Sequence, residues 1–575
     1  VDTSCLKWCK ANMNCYHGVC DSACNGDNLY LGCIAKQNGI HGFNVSGGGK
    51  VMRECVASQN TRDGFNLSTS LLADGDLDNT FGSGGLVTTS GGNRVTGVVI
   101  QKDSKIVAAG LSFGRFGLAR YNVNGSLDLS FGVGGVVITD FGGTSAGANS
   151  VAIQKDGKIV AVGSANIGGT TDFALARYNI DGSLDITFNP TGSLPGTVVT
   201  NFGGTSGSAR AVAIQKDGKI VAAGQSNVSG TFDFALARYN TDGSLDSTFG
   251  FGGLVITDLG DFDEINAVVI QKDGKIITAG RSNVSGTFDF ALARYNTDGS
   301  LDMTFNPTGS LPGTVTTSFG STSEANGIRT QKDGKIVVAG TSGTDFALAR
   351  YNTDGSLDST FNSAGSLPGT VTTDFGGIDI ANAVAIQKDG KIVAAGNSGT
   401  DFALARYNTE GSLDTTFNPT GSLPGTVTTD FGDSDAAFAV AIQKEGKIIV
   451  AGNSNIDFAL AQYVVFKQGV AVRDCVAEEN GEDGFNIAGQ AYDVRDSSAI
   501  HNVAYGFLLE SLTDNCQLLS NAAIGNSGIG IENHGNNNQI FNSRALNNVV
   551  NNYSGVALTA DPTLSAVDYW VNIEI

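Results

Sequence analysis

Apolar and polar positions alternate along most of this chain in short runs of four to six residues, broken by Gly, Asp, Asn and Ser. Thr370-Val-Thr-Thr, Ala383-Val-Ala-Ile-Gln, Lys391-Ile-Val-Ala-Ala and Phe402-Ala-Leu-Ala-Arg-Tyr407 show the pattern. Period-two alternation bounded by turn residues predicts β-strands, and no long stretch has the helical period. The four runs form a cassette that recurs seven times. The phenylalanine that opens its last run stands at 116, 173, 234, 290, 346, 402 and 458, with spacings of 57, 61, 56, 56, 56 and 56 residues. A fixed period of this size signals a repeat architecture. Lys-Asp-Gly joins the second and third runs and predicts a hairpin, with Ser104 replacing the glycine in the first copy and Glu445 the aspartate in the last. Four strands in each of seven units predict a seven-bladed β-propeller over 71–463. The last strand, Phe458 to Tyr463, lacks the Ser-Leu-Asp-x-x-Phe continuation of the others. Asp76-Leu-Asp-Asn-Thr-Phe81 stands unpartnered at the other end, so pairing the two would close the ring and remove its open edge.

A second, shorter period flanks the array. Cys33-Ile-Ala-Lys-Gln-Asn38-Gly-Ile-His41-Gly-Phe43-Asn-Val45 is echoed 22 residues later from Cys55 to Leu67, and again at Cys475-Val-Ala-Glu-Glu-Asn480-Gly-Glu-Asp483-Gly-Phe485-Asn-Ile487. Phe43-Asn44-Val45 and Phe65-Asn66-Leu67 place two apolar side chains inward and an asparagine outward. Stacked in register, Cys9, Cys33 and Cys55 make one column of small side chains, and Asn14, Asn38 and Asn60 make another that can bond along the stack. The expected fold is therefore all-β: a short right-handed parallel β-helix (1–70 with a Cys-rich N-terminal cap, resuming at 464–575) interrupted by an inserted seven-bladed propeller. The apolar end, Tyr569-Trp570-Val571-Asn-Ile573, reads as a cap or a docking strand.

Two resemblances add to this. The Gln-x-Asp-Gly-Lys-Ile, Phe-Ala-Leu-Ala-Arg-Tyr-Asn and Gly-Ser-Leu-Asp motifs of 71–463 resemble the delta-60 repeat family, with Gln462 replacing arginine in the last copy and Asp76 replacing serine in the first. The columns of the flanks resemble the repeats of pectate-lyase-like parallel β-helices. The first implies a repeat fold at a surface and brings no established reaction. The second fixes a fold without an activity.

Composition narrows the function. The net charge of -21 excludes a nucleic-acid or anionic-membrane surface, which needs clustered Lys and Arg. No run of 18 apolar residues predicts a membrane-spanning helix. The chain starts at Val1, which reads as a processed or truncated N-terminus. Six of nine cysteines (Cys5, Cys9, Cys15, Cys20, Cys24, Cys33) lie in the first 33 residues. Their spacing lacks the C-x-x-C pairs of a zinc site, which leaves one or two disulfides or buried thiols.

His41, Asp63, Asp483 and Tyr505 fall in one column just before the turn glycine. Carboxylates in adjacent coils, flanked by His and Tyr, are the candidates for general acid-base work on a glycan. Residues beside a turn glycine are more often solvated, and the expected lyase arginines reduce to Arg62, so no catalytic set is assigned. The Asn352-Thr-Asp354-Gly-Ser-Leu-Asp358 turn faintly resembles a calcium loop, but hairpin closure explains it, and neither metal nor cofactor is expected. The arginines 120, 177, 238, 294, 350 and 406 recur too regularly for one active site and read as blade-to-blade ties to repeated aspartates. Seven near-identical copies favour a scaffold, since a site would require one blade to differ. The expectation is a non-enzymatic extracellular, cell-surface or virion-surface protein contacting other surface or assembly proteins or glycans; the alternative is a polysaccharide-active β-helix enzyme.

Overall fold

The computed structural model describes residues 74–91, 94–432, 434–444 and 446–465, together with strand and turn segments within 6–68 and 471–574. The chain divides into two compact units, Ala73–Val465 and Val1–Leu72 with Phe466–Ile575. Among the described residues no helix is long and apolar enough to cross a membrane.

Ala73–Val465 holds seven four-stranded antiparallel sheets. Their first strands are Arg94–Ile100, Ser145–Ile153, Gly207–Ile214, Asp263–Ile270, Ser323–Thr330, Asp379–Ile386 and Asp435–Ile442, which number the blades 1 to 7. Each neighbours the first strands of the blades before and after it, and that of blade 7 neighbours that of blade 1, so the array is a closed propeller. The Lys-Asp-Gly hairpins form as expected: Gly274 has φ 91°, and Ser104 adopts φ 67° in the glycine's place. Glu445 lies outside the described residues.

The fourth strand differs from expectation. Ser-Leu-Asp does not pair as a strand along Phe-Ala-Leu-Ala-Arg-Tyr but makes a single bridge, such as Tyr407 to Leu413. Asp414 then turns the chain by accepting the Thr416 amide at 3.2 Å and its hydroxyl at 2.7 Å. The edge partner is the Thr-Val-Thr-Thr run that follows, so Thr370–Thr373 completes blade 5, beside Phe346 to Ala349, rather than opening the next cassette. Ring closure follows the same correction. Chain from the start does complete blade 7, but the strand is Leu86–Thr89, paired with Phe458 to Ala461, while Leu77 contributes one bridge to Tyr463.

Each first strand carries a β-bulge, such as that between Ile265 and Ala267. The bulge presses the chain against the second strand, and there the repeat has glycine. A Cβ on Gly280 would stand 1.8 Å from the Glu264 carbonyl oxygen, and one on Gly396 1.8 Å from that of Ile380.

Side chains tie blade to blade. In every blade a buried tyrosine bonds a threonine hydroxyl on the outer strand of the blade before, as Tyr239 does Thr200 at 2.8 Å and Tyr463 does Thr429 at 2.7 Å. Burial pushes these phenols well above their ordinary range. The repeated arginines are arranged otherwise than expected. Each pairs with the aspartate eight residues on in its own repeat, as Arg177 Nε does with Asp185 at 2.7 Å, and that aspartate also takes Lys158 at 2.8 Å. Its reach to the next blade ends on a backbone carbonyl, Thr241 at 2.5 Å for Arg177, while Arg406 alone among the six meets a carboxylate there, Asp74. The guanidinium also stacks on a buried ring, Arg177 lying 4.4 Å from the Phe188 centroid.

In the other unit short strands pair in parallel in three sets. Val51–Arg53, Val56–Ser58 and Phe65–Ser68 lie beside Ala471–Arg473, Val476–Glu478 and Phe485–Ala488, which lie beside Asp493–Arg495, Ser498–Ile500 and Phe507–Leu509. Segments 51–68 and 471–488 are thus neighbours although about 400 residues separate them. Phe43, Phe65, Phe485 and Phe507 stack with centroids 4.7–4.9 Å apart. A buried amide ladder runs from Asn60 to Asn480 at 2.8 Å, to Asn502 at 2.8 Å and to Asn526 at 2.9 Å. Asn14 and Asn38 lie outside the described residues. Cys55 and Cys475 are buried thiols in one column, the Cys55 amide donating to Cys475 Sγ at 3.4 Å. Hydrogen bonding with Cys55 and burial push the Cys475 thiol far up. Cys5, Cys9, Cys15, Cys24 and Cys33 lie outside the described residues, as do Tyr569 and Trp570. Val571–Glu574 pairs antiparallel with Gln539–Leu546.

Candidate functional site

The four column residues anticipated from the sequence do come together, in positions that favour holding the backbone. His41 Nδ1 lies 3.2 Å from Asp63 Oδ2, and both residues are buried. Asp63 Oδ1 accepts the Asp483 amide at 3.3 Å, and Asp483 Oδ1 accepts the Tyr505 amide at 3.0 Å. Each carboxylate therefore caps the turn of the next segment. A hydrogen bond to Glu532 holds the Tyr505 phenol above its ordinary range, with burial and the nearby Asp483 carboxylate adding to the effect. Arg62 lies outward, 3.5 Å from Glu482.

A second candidate is the axial channel of the propeller, a cavity of about 460 Å³ lined by the first strands of all seven blades. The bulges build its wall. The residue left out of register in each blade is Thr96, Asn149, Arg210, Asn266, Asn326, Asn382 or Phe438. Around most of the ring its side chain donates to a carbonyl of the following blade: Thr96 to Ala148 at 2.8 Å, Asn149 to Ala209 at 2.8 Å, Asn326 to Ala381 at 3.0 Å and Asn382 to Ala437 at 2.8 Å.

Two blades depart from this rule. In blade 3 the bulge residue is Arg210, paired with the buried Glu264 of blade 4. In blade 7 it is Phe438, over whose ring the Arg94 guanidinium lies at 4.9 Å. Further departures gather nearby. Arg281 donates to Glu264 at 2.8 Å and to Glu324 at 2.9 Å, and its guanidinium lies 4.6 Å from the Phe288 centroid. Arg329 stands in the channel wall where other blades carry Val or Ala, for example Val269 and Ala385. Arg210 and Arg281 neutralise Glu264, and Arg281 with the Asn266 amide satisfies Glu324, the latter at 2.8 Å. Arg94 and Arg329 have no carboxylate partner among the described residues, and burial, with the nearby Arg210 adding to it, lowers the Arg94 pKa. The channel thus holds surplus positive charge within a chain of net charge -21. Chemically it can receive an anionic group, with amide donors around it. The repeats, near-identical elsewhere, differ where they line this channel. Aligning the seven first strands on Ala-Val-Ala-Ile would have exposed Arg329 and Arg210 from sequence.

Six segments, 101–131, 154–188, 215–249, 271–305, 331–361 and 387–417, match the model described as a domain of unknown function (DUF5122) β-propeller. The match carries that description and not the delta-60 name. No curated protein matches the chain. Among solved structures it is similar to the WD40 β-propeller domain of Doa1 at 13% identity, covering 66% of this chain and 95% of that one with a TM-score of 0.41. It is also similar to virginiamycin B lyase from Staphylococcus aureus at 9% identity, covering 66% and 99% with a TM-score of 0.39. The polysaccharide lyase Uly1 is similar at 10% identity, covering 67% and 92% with a TM-score of 0.38. The span from Ala73 to Val465 is thus a seven-bladed β-propeller domain, six of whose repeats match the DUF5122 propeller model.

Proposed function

We propose that this chain is a non-enzymatic binding protein of an envelope, cell surface or virion surface, in which a short right-handed parallel β-helix carries an inserted propeller that holds an acidic glycan. The observation that carries the binding reading is the concentration of repeat-breaking charges at the channel, with Arg94 and Arg329 left without carboxylates. A uronate or sulfate group would supply the missing anion, and the ring of amides would meet sugar hydroxyls. The three sets of parallel strands and the Asn60-to-Asn526 ladder support the β-helix reading. Against the alternative, a polysaccharide-active β-helix enzyme, stands the use of Asp63 and Asp483 as backbone caps.

Calorimetric titration of the full chain with acidic and neutral oligosaccharides tests the reading, paired with an assay for product. Binding of the acidic set alone is expected, weakened about tenfold or more by Arg94→Ala with Arg329→Val, since one lost ion pair of about 1.4 kcal/mol is a factor of ten. Binding that ignores both arginines sinks the proposal. So does turnover that Asp63→Asn or Asp483→Asn abolishes.

A further inference from the structure

At the blade end opposite the Lys-Asp-Gly hairpins, three chain positions meet between consecutive blades: the start of a third strand, the residue after the fourth strand, and the start of the next blade's first strand. In three places all are aspartate: Asp233, Asp258 and Asp263; Asp345, Asp374 and Asp379; Asp401, Asp430 and Asp435. In each group carboxylate oxygens from the three residues lie within 4.8 Å of one another. Among the described residues none of the nine forms an ion pair with Lys, Arg or His.

The innermost member of each group is buried with half its carboxylate unused. Asp263 Oδ2 accepts the Leu259 amide at 2.6 Å, Asp379 Oδ2 the Phe375 amide at 2.7 Å and Asp435 Oδ2 the Phe431 amide at 2.7 Å. Oδ1 of each is buried without a well-aligned hydrogen-bond partner, as are Asp233 Oδ1 and, at the incomplete junction of blades 4 and 5, Asp289 Oδ1, while the Ser282 and Ser454 hydroxyls partly offset the burial of Asp263 and Asp435. A buried acceptor left without a donor is costly, and a buried anion more so. Burial and the neighbouring aspartates raise the Asp263 and Asp435 pKa values.

Three of the four remaining blade junctions act as internal controls. Between blades 1 and 2 the third strand begins with Arg115, which pairs with Asp140 at 2.8 Å, and the third position is Ala146. Between blades 2 and 3, Asn201 replaces the middle aspartate and donates to Asp172 Oδ1 at 2.8 Å, with Gly207 third. Between blades 4 and 5 only Asp289 is acidic, with Ser318 and Ser323 in the other places. Where the group is incomplete, an arginine or an amide supplies the positive charge or the donor, or the carboxylates are not crowded. Where it is complete, no cation is supplied, and the donors that are present, such as the Leu259 amide on Asp263 and the Ser229 hydroxyl on Asp233, leave Oδ1 of both residues unbonded.

We propose that each of the three aspartate groups binds one calcium ion. The oxygens are hard ligands, and lying within 4.8 Å of one another they can share a single ion at Ca–O distances of about 2.3–2.6 Å. Mg²⁺ demands near-ideal octahedral geometry at about 2.0–2.1 Å and gives up its waters reluctantly, so a set of three carboxylates suits Ca²⁺ better. The exposed members Asp258, Asp374 and Asp430 give each site a route from solvent, and waters complete the shell.

The test strips the full chain with chelator, then measures bound metal after equilibrium dialysis against Ca²⁺ and, separately, Mg²⁺. About three Ca²⁺ per chain are expected, with Mg²⁺ binding at least tenfold weaker. Asp258→Asn with Asp374→Asn and Asp430→Asn, all at exposed positions, should reduce this below one. Asp401→Arg copies the Arg115 junction and should remove one ion only, with circular dichroism confirming the fold. Fewer than one Ca²⁺ in the parent at millimolar metal overturns the proposal, as does a stoichiometry that none of these substitutions lowers. Equal binding of Mg²⁺ overturns the assignment to calcium.

Discussion

The two faces of the propeller use aspartate in opposite ways. On the Lys-Asp-Gly face, Asp302 is nearly inaccessible yet is held far below the ordinary carboxylate range, because burial is outweighed by Lys275, Thr304 and Arg294. On the other face Asp263 is just as buried, and its pKa is raised because burial meets no cation and Asp233 and Asp258 add repulsion. Burial alone therefore predicts nothing about a carboxylate in this fold. The partners on the next strand set the direction, and the repeat provides them at one end of the blade and withholds them at the other.

Acid should separate the faces most strongly. Asp128, Asp185, Asp246, Asp302 and Asp358 have lowered folded pKa values, so their stabilisation is complete above the ordinary 3.8 and is lost as pH falls from there through the folded values. Asp233, Asp263 and Asp435 are raised, so in chelator they subtract stability at neutral pH and stop doing so as pH falls through their folded values towards 3.8. The urea midpoint in chelator should rise slightly on mild acidification and then collapse below about pH 3.8. A monotonic fall from neutral pH would erase the contrast.

Single substitutions sharpen it. Asp302→Ala leaves the buried Arg294 without its carboxylate and should cost about 3–5 kcal/mol in urea denaturation. Asp435→Asn on the other face keeps an acceptor for the Phe431 amide and removes a charge, so in chelator it should raise stability, on the order of 1 kcal/mol. Destabilisation of similar size by both would mean that the faces do not differ.

Much of the fold could be read from residues alone because hairpins are local and stacked columns repeat one short motif. Lys-Asp-Gly specifies its own turn, and Asn60 and Asn480 announce their ladder by repeating in identical surroundings. The fourth strand departs from its sequence pattern because Leu413 and its relatives look strand-like, while the Asp414 side chain turns the chain there. Bulges announce themselves only by a recurring Asn in four of the seven first strands and by the glycine one strand away, such as Gly280 against the Glu264 carbonyl. The channel charges were hidden by similarity, since Arg329 is a single departure inside a repeat read for its sameness. The aspartate groups were invisible for a different reason: Asp430 and Asp435 bound one connection while Asp401 opens a strand from another, and nothing in the sequence shows that the two connections meet.

The way the ring is sealed also fixes how the domain would respond to force. Its first and last described segments lie hand in hand, the Gly75 amide on the Val464 carbonyl at 3.0 Å and the Val464 amide on the Asp76 carbonyl at 2.9 Å. Tension applied at residues 74 and 465 would be borne by this short ladder and by Leu86–Thr89 on blade 7, in series, before any load reached blades 1 to 6. The clasp is the mechanical fuse of the domain: while it holds, roughly 390 residues of chain contribute almost nothing to its extensibility.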